Sequence, residues 1–325
     1  MRTITRNARS KPAVALAAQG VELYQGTLLD RPFLDKAMAG VDVLFLATFS
    51  DHDGTELRQG KNLGNAAVAA GVQRVVFSGG ERIGVDTMDN KIKIEEYLRT
   101  LPLPHVVYLH TAFFFENVAT KRGTKRVRVT RDPRQGHITQ YTFSIPLLQD
   151  MRIPFISPTD IGRVAATVLL APITQFPSGS ILPIAGDVLS PREFVSAVAR
   201  LTGAKATYTQ LSLDFFRRLP IPGAELIVQM YEWYHAGCPG EGHSRDPAAT
   251  RALCTHVRNV EEWLQSDGLA LIDRMAYEEG WGSWMHDGLL WGMTHVYGTY
   301  MRLKGFVERG YQWRGEADGQ ISSNE

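Results

Sequence analysis

Over the first 110 positions, short apolar blocks alternate with helical stretches. Arg2–Asn7 reads as a short strand with a basic tip, Pro12–Gln19 as a small-residue helix and Val21–Tyr24 as a second strand. Val41–Thr48 is a near-continuous apolar run, the pattern of a parallel strand buried on both faces. The spacing predicts a helix over Glu56–Ala70 with Leu57, Leu63 and Ala66–Ala67 turned inward, and Gly71 ends it. Val72–Ser78 and His105–His110 read as further buried strands on either side of a helix at Ile92–Arg99. Strands alternating with helices at this spacing imply a parallel sheet. The expected fold class is therefore α/β, a doubly wound parallel sheet.

The texture changes after Asn117. Lys121–Arg134 carries seven basic residues against one acid, Asp132, around alternating Val127 and Val129. It reads as an exposed β-ribbon, and the absence of interleaved aromatic residues argues against nucleic acid. Ser157 opens a helix running to Leu170. Ser190-Pro-Arg-Glu193 has the form of a capping box, with Ser as N-cap, Pro in the first turn and Glu three residues on. Its helix is expected to run to Leu201 and stop before Gly203. With Tyr208–Leu211 as strand and Asp214–Leu219 as helix, this stretch predicts a smaller α+β C-terminal lobe. The expected division is residues 1–150, 151–264 and an aromatic-rich extension over 265–325. That extension gathers Trp281, Trp284, Trp291 and Trp313 with several Met and Tyr. An amphipathic helix packed on the body or on a second subunit is one reading, an interfacial membrane helix another, and translated sequence from a faulty gene model a third.

Composition narrows the picture modestly. A net charge of +1 over 325 residues gives no support to a general nucleic-acid preference. Two cysteines, Cys238 and Cys254, cannot form a disulfide scaffold, which suits a cytoplasmic protein. The basic and apolar start, through Arg9, Lys11 and Pro12–Ala18, looks like a leader but alternates as a β–α–β segment does. No run approaches the ~20 apolar residues of a membrane span. The histidines and cysteines show no metal-ligand spacing, so no metal site is expected.

The opening strand, helix and strand read as the second half of a dinucleotide-binding βαβ unit. No G-x-G-x-x-G turn precedes them. In a doubly wound sheet that turn follows the central first strand and holds the cofactor pyrophosphate. The expectation is that sequence upstream of Met1 was missed; otherwise the sheet is rearranged and pyrophosphate binding is weakened or lost.

Five motifs then occur in order: Gln59-Gly-Lys-Asn-Leu63, Val75-Val-Phe-Ser-Gly79, Met88 to Arg99, Ala112-Phe-Phe-Phe-Glu-Asn117 and Ala185 to Glu193. Together, over residues 1–264, they resemble the NmrA-like branch of the atypical short-chain dehydrogenases. The resemblance implies a Rossmann-like domain that binds NADP, with the small lobe closing over the nicotinamide end. Arg6, beside Asn7, resembles the family's reader of the 2′-phosphate, and a guanidinium does grip phosphate bidentately; a solvated basic turn is the plainer reading. Thr27-Leu28 stands where relatives line the adenine, with Thr27 in place of their Asp. Thr48-Phe49-Ser50, past the end of a strand, is expected under the cofactor. Lys61 matches a cofactor-contacting lysine of relatives. Lys91 matches the lysine that holds the nicotinamide ribose, and is the catalytic candidate. Phe114, Phe115, Glu116 and Asn117 look like the nicotinamide-end loop, although Phe113–Phe115 could equally be core. Relatives usually carry Arg-Pro where His110-Thr111 stands.

One departure divides the functional expectation. Four residues before Lys91 stands Thr87, where the wider superfamily keeps the tyrosine that donates a proton to a ketone. The resemblance implies an NADP-dependent oxidoreductase acting on a small metabolite, in a setting such as fungal secondary metabolism. Thr87 favours the alternative, a non-catalytic NADP-sensing regulator that binds a protein partner. A homodimer is left open.

Overall fold

The computed structural model describes residues 1–49, 54–85, 88–119, 127–218, 224–237 and 245–278. Met1–Tyr277 forms one compact unit and Glu278–Glu325 a second. The aromatic residues of the tail, Ser50, Thr87 and the basic positions 121–126 lie outside the described residues.

The first half alternates strand and helix. β1 (Arg2–Thr5), α1 (Lys11–Ala18), β2 (Glu22–Gln25) and α2 (Arg31–Met38) lead to β3 (Val43–Leu46). Then come α3 (Glu56–Ala70), β4 (Arg74–Gly79), α4 (Asn90–Arg99) and β5 (Val106–His110). Helix α3 stops where Gly71 takes a left-handed φ of 69°, which a residue with a Cβ adopts at a cost. Strands β3, β4 and β5 run parallel, and their sheet is extended on the β5 side by β10 (Ile181–Pro183), also parallel. Val75, Val76, Phe77, Val107 and Leu109 are fully buried within it. Each such side chain contributes about 1.5–3 kcal/mol relative to exposure.

The sheet is in two pieces. β1 and β2 form their own parallel pair, and among the described residues no backbone ladder joins β1 to β3. The pair is anchored through helices instead. Arg2 donates to the carbonyls of Ala37 and Ala39 at the end of α2, and Asn62 of α3 donates to the Leu28 carbonyl. This corrects the expectation for Val41–Thr48. β3 is an edge strand, with Val43 45% and Phe45 39% exposed. A run that is apolar on both faces is buried on both only when neighbours cover it, and β3 has a strand on one side alone.

The second half builds the lobe. β6 (Phe113–Phe114) enters a 3-10 turn at Phe115–Val118, followed by β7 (Val127–Arg131), β8 (Ile138–Ile145), β9 (Ile153–Ile156) and α5 (Pro158–Leu170). After β10 come β11 (Asp187–Leu189), α6 (Pro191–Thr202), β12 (Lys205–Gln210) and α7 (Leu213–Arg217). The described chain ends with α8 (Ala224–His235), α9 (Pro247–Leu253), α10 (Val260–Trp263), a π-helical turn, α11 (Leu269–Met275) and β13 (Tyr277–Glu278). β6, β9 and β11 form one small sheet, and β12, β8, β7 and β13 another. The capping box of α6 is complete. Ser190 accepts from the Glu193 amide at 3.2 Å, and Glu193 accepts from the Ser190 amide at 2.7 Å. Of the expected basic ribbon, Val127 and Val129 are buried in the lobe core, so β7 has an inner face as well as a solvated one. No helix among the described residues is long and apolar enough to cross a membrane.

Candidate functional site

Open parallel sheets bind ligands at the carboxyl ends of their strands. Here the carboxyl ends of the parallel strands carry Arg6 after β1, Thr48 and Phe49 past β3, and His110 with Thr111 where β5 ends. The loop after β4 is folded by Asp89, whose carboxylate accepts from the amides of Ile83 at 2.8 Å and Gly84 at 3.1 Å. That arrangement starts α4 at Asn90 and puts Lys91 in its first turn. Lys91 Nζ then donates to the Thr48 hydroxyl oxygen at 2.7 Å and the Thr48 carbonyl at 3.0 Å, and pairs with Glu56 Oε1 at 2.7 Å.

Two pairs of sequence-predicted residues therefore meet. Lys91 meets Thr48, and the Arg6 guanidinium lies over the Phe49 ring, 4.7 Å from its centroid. A cation over an aromatic face is held electrostatically, yet an exposed one keeps its donors in solvent. Arg6 is exposed, and among the described residues no carboxylate pairs with it.

The other predicted residues have local partners. Asn7 shapes the turn into α1, accepting from the Arg9 amide on Oδ1 and from the Ser10 hydroxyl on its carbonyl. Thr27 accepts from the Leu29 amide, and Leu28 packs towards the core beside α3. Lys61 Nζ stands 5.2 Å from the Tyr97 ring centroid, bridging α3 and α4. Phe113 and Phe115 are core, the reading the sequence left open. Phe115 is stacked between Phe155 and Trp263 at centroid distances of 5.5 and 5.1 Å. Phe114 and Asn117 are half-buried. Glu116 Oε1 accepts from the Ser157 hydroxyl at 2.6 Å and from Trp263 Nε1 at 3.2 Å. Burial pushes the Glu116 carboxyl above its ordinary range, because the Ser157, backbone and Trp263 hydrogen bonds and the Arg258 charge do not fully offset desolvation.

Two buried residues of the site had no site role in the sequence: Glu56, and Gln59, which stood there only as the first residue of a family motif. Leu57 packs half-buried against the core as expected, and Glu56 and Gln59 on the same helix are buried as well. The available signal was their spacing: two polar residues one helical turn apart, on the face that continues into Gly60, Leu63 and Ala67.

These features define an α/β protein of the Rossmann-like class with Arg6 and Lys91 at the carboxyl ends of its strands. The model of the NmrA-like family matches residues 1–264, and the chain belongs to that family. It is 29% identical over 228 residues to an NmrA-like family domain-containing oxidoreductase of Aspergillus flavus, covering 64% of this chain and 67% of that protein. In fold it is similar to NmrA, a negative transcriptional regulator crystallised with NADP (TM-score 0.67, 20% identity, 84% of this chain and 89% of that one). It is also similar to an Escherichia coli NADPH-dependent quinone oxidoreductase crystallised with NADPH (TM-score 0.62, 23% identity, 81% and 89%).

Proposed function

We propose that the chain is an NADP(H)-dependent oxidoreductase acting on a small, fairly apolar metabolite. The observation that carries this reading is the Lys91 ammonium, held at the carboxyl end of β3 by Thr48 and Glu56. A fixed cation there suits the ribose hydroxyls of a dinucleotide. Arg6 supplies the second contact: its exposed guanidinium matches a 2′-phosphate in charge and geometry. Lys91 and Arg6 are cationic donors of the kinds that a ribose hydroxyl and a 2′-phosphate call for, while the sequence contains no G-x-G-x-x-G turn for the pyrophosphate. The nicotinamide, when bound, supplies the hydride. This chain's residues would hold the cofactor at its two ends, Lys91 at the nicotinamide ribose and Arg6 at the 2′-phosphate, with Thr48 keeping the Lys91 ammonium in place. A fungal setting accords with the Aspergillus relative.

One observation favours a second reading, an NADP-sensing regulator with a protein partner. Thr87 replaces the tyrosine that would donate a proton. Calorimetric titration with NADPH and NADH tests the shared premise. The expected result is micromolar NADPH binding, weakened about tenfold or more by Arg6→Ala with NADH unaffected. Equal binding of the two nucleotides would remove Arg6 from its role, and no binding of either would sink both readings. Oxidation of bound NADPH by any of a panel of small carbonyl or quinone acceptors then separates the enzyme from the sensor.

A further inference from the structure

An ammonium has three hydrogens to donate. Among the described residues, the acceptors around Lys91 Nζ are the Thr48 carbonyl, the Thr48 hydroxyl oxygen and Glu56 Oε1. The Thr48 hydroxyl donates in turn to Glu56 Oε1 at 2.8 Å, closing a ring of three groups. Glu56 lies at the bottom of this ring, its side chain 1% exposed against 22% for Lys91. A carboxylate that deep is costly unless paired, and Lys91 is the cation that pairs it. One helical turn further along α3, Gln59 fastens the next residue. It accepts from the Phe49 amide at 3.0 Å and donates to the Phe49 carbonyl at 3.3 Å. The first turn of α3 thus grips both Thr48 and Phe49 just past β3.

We infer that Glu56 is the positioning residue for Lys91. Its buried carboxylate sets where the ammonium stands before any ligand arrives. A ligand hydroxyl then needs to replace only a Thr48 contact, while the Glu56 pair keeps the cation in place. Placing the charge in advance removes the cost of ordering a long, flexible side chain on binding. An acid in the first turn also stabilises a helix through its dipole, a purely structural role. The two roles separate when the effect of Glu56 is measured on Lys91 itself.

The first arm needs no cofactor. The full chain and Glu56→Gln, which keeps the shape and an acceptor oxygen but loses the charge, are pulsed with acetic anhydride, and Lys91 acetylation is followed by mass spectrometry. Lys91 is expected to react about tenfold faster or more in the variant, the scale of one lost charge-assisted hydrogen bond, with exposed Lys205 unchanged. Equal Lys91 rates overturn the inference. Should Glu56→Gln be recovered unfolded, Glu56→Asp, which keeps the charge but withdraws it, is read in the same way.

The second arm rests on the NADP(H) reading. NADPH affinity is measured for wild type, Glu56→Gln, Lys91→Met and the double variant. If Glu56 acts through Lys91, Glu56→Gln weakens binding about tenfold in the wild-type background and adds nothing once Lys91 is gone. Additive losses overturn the inference. Failure of the wild type to bind NADPH overturns the functional reading instead, and the acetylation result still decides the role of Glu56.

Discussion

His110 ends β5 with Nε2 placed 2.8 Å from Glu95 Oε2, and Arg99, one turn along α4, reaches Glu95 Oε1 at 2.7 Å. Burial alone would push the Glu95 carboxyl up; the hydrogen bonds and charges of His110 and Arg99 outweigh it and hold the group below its ordinary range. A lowered carboxyl contributes stability that is present above the unfolded-state value and is lost as pH falls through the folded one. Glu95→Gln is therefore expected to cost about 3 kcal/mol near pH 7, the scale of a broken buried pair. The difference from wild type should hold down to the ordinary carboxylate range and shrink only as pH falls below about 4. Urea unfolding of both proteins across that range checks it, and a gap that widens on acidification would contradict the assignment. Of this cluster, only the unusual His110-Thr111 pair was visible in the sequence. Its partner on α4 is named by the packing of that helix against the sheet, which no local pattern encodes.

Elements show the same division more sharply. Helix α3 was legible to its ends because its signals are local: an acid at the start, a glycine at the stop and an apolar period between them. The α6 capping box was legible for the same reason. How closely α3 and α4 approach was not, and two glycines decide it. A Cβ on Gly60 would sit 2.5 Å from Ile94 Cγ1, and one on Gly64 would sit 2.7 Å from Leu98 Cδ2. Both contacts are far inside van der Waals range, so the helices close only because these side chains are absent. Gly60→Ala is expected to destabilise by roughly 1–3 kcal/mol despite the better helix propensity of alanine. Because α3 carries Glu56 and α4 carries Lys91, the same change should weaken NADPH binding. Thermal unfolding with a parallel titration reads both effects, and a stabilised variant would show that the interface has slack.

Across the molecule, buried arginines tie the later segments to the sheet. Arg245 pairs with Glu81 in the loop after β4 and donates to the carbonyls of His110 and Thr111 at the end of β5. Arg258 pairs at 3.2 Å with Asp160, in the first turn of α5. Arg74 caps the far end of α5 through the carbonyls of Val168, Leu169 and Ala171. Arg245 and Glu81 have side chains only 6% and 10% exposed, so removing one partner strands a buried charge. Arg245→Met is expected to cost about 3–5 kcal/mol, seen as a lower urea midpoint, with the Glu81→Gln, Arg245→Met double variant recovering part of the loss. A double variant no better than the sum of the singles would show that the two side chains act independently.

The sequence by itself determined the alternating α/β order, the helix boundaries set by caps and glycines, and the family, because each depends on residues near one another in the chain. Tertiary structure decided which apolar strands are covered. Val43–Leu46 looks as buried as Arg74–Gly79 when read along the chain, but β3 has a strand on one side and β4 on both. It also decided which polar residues meet. Thr48, Glu56 and Lys91 come from a strand end and the first turns of two helices, and are joined only when α3 and α4 pack across β3 and β4. Burial and pairing depend on neighbours distant in sequence, and a local pattern carries no record of them.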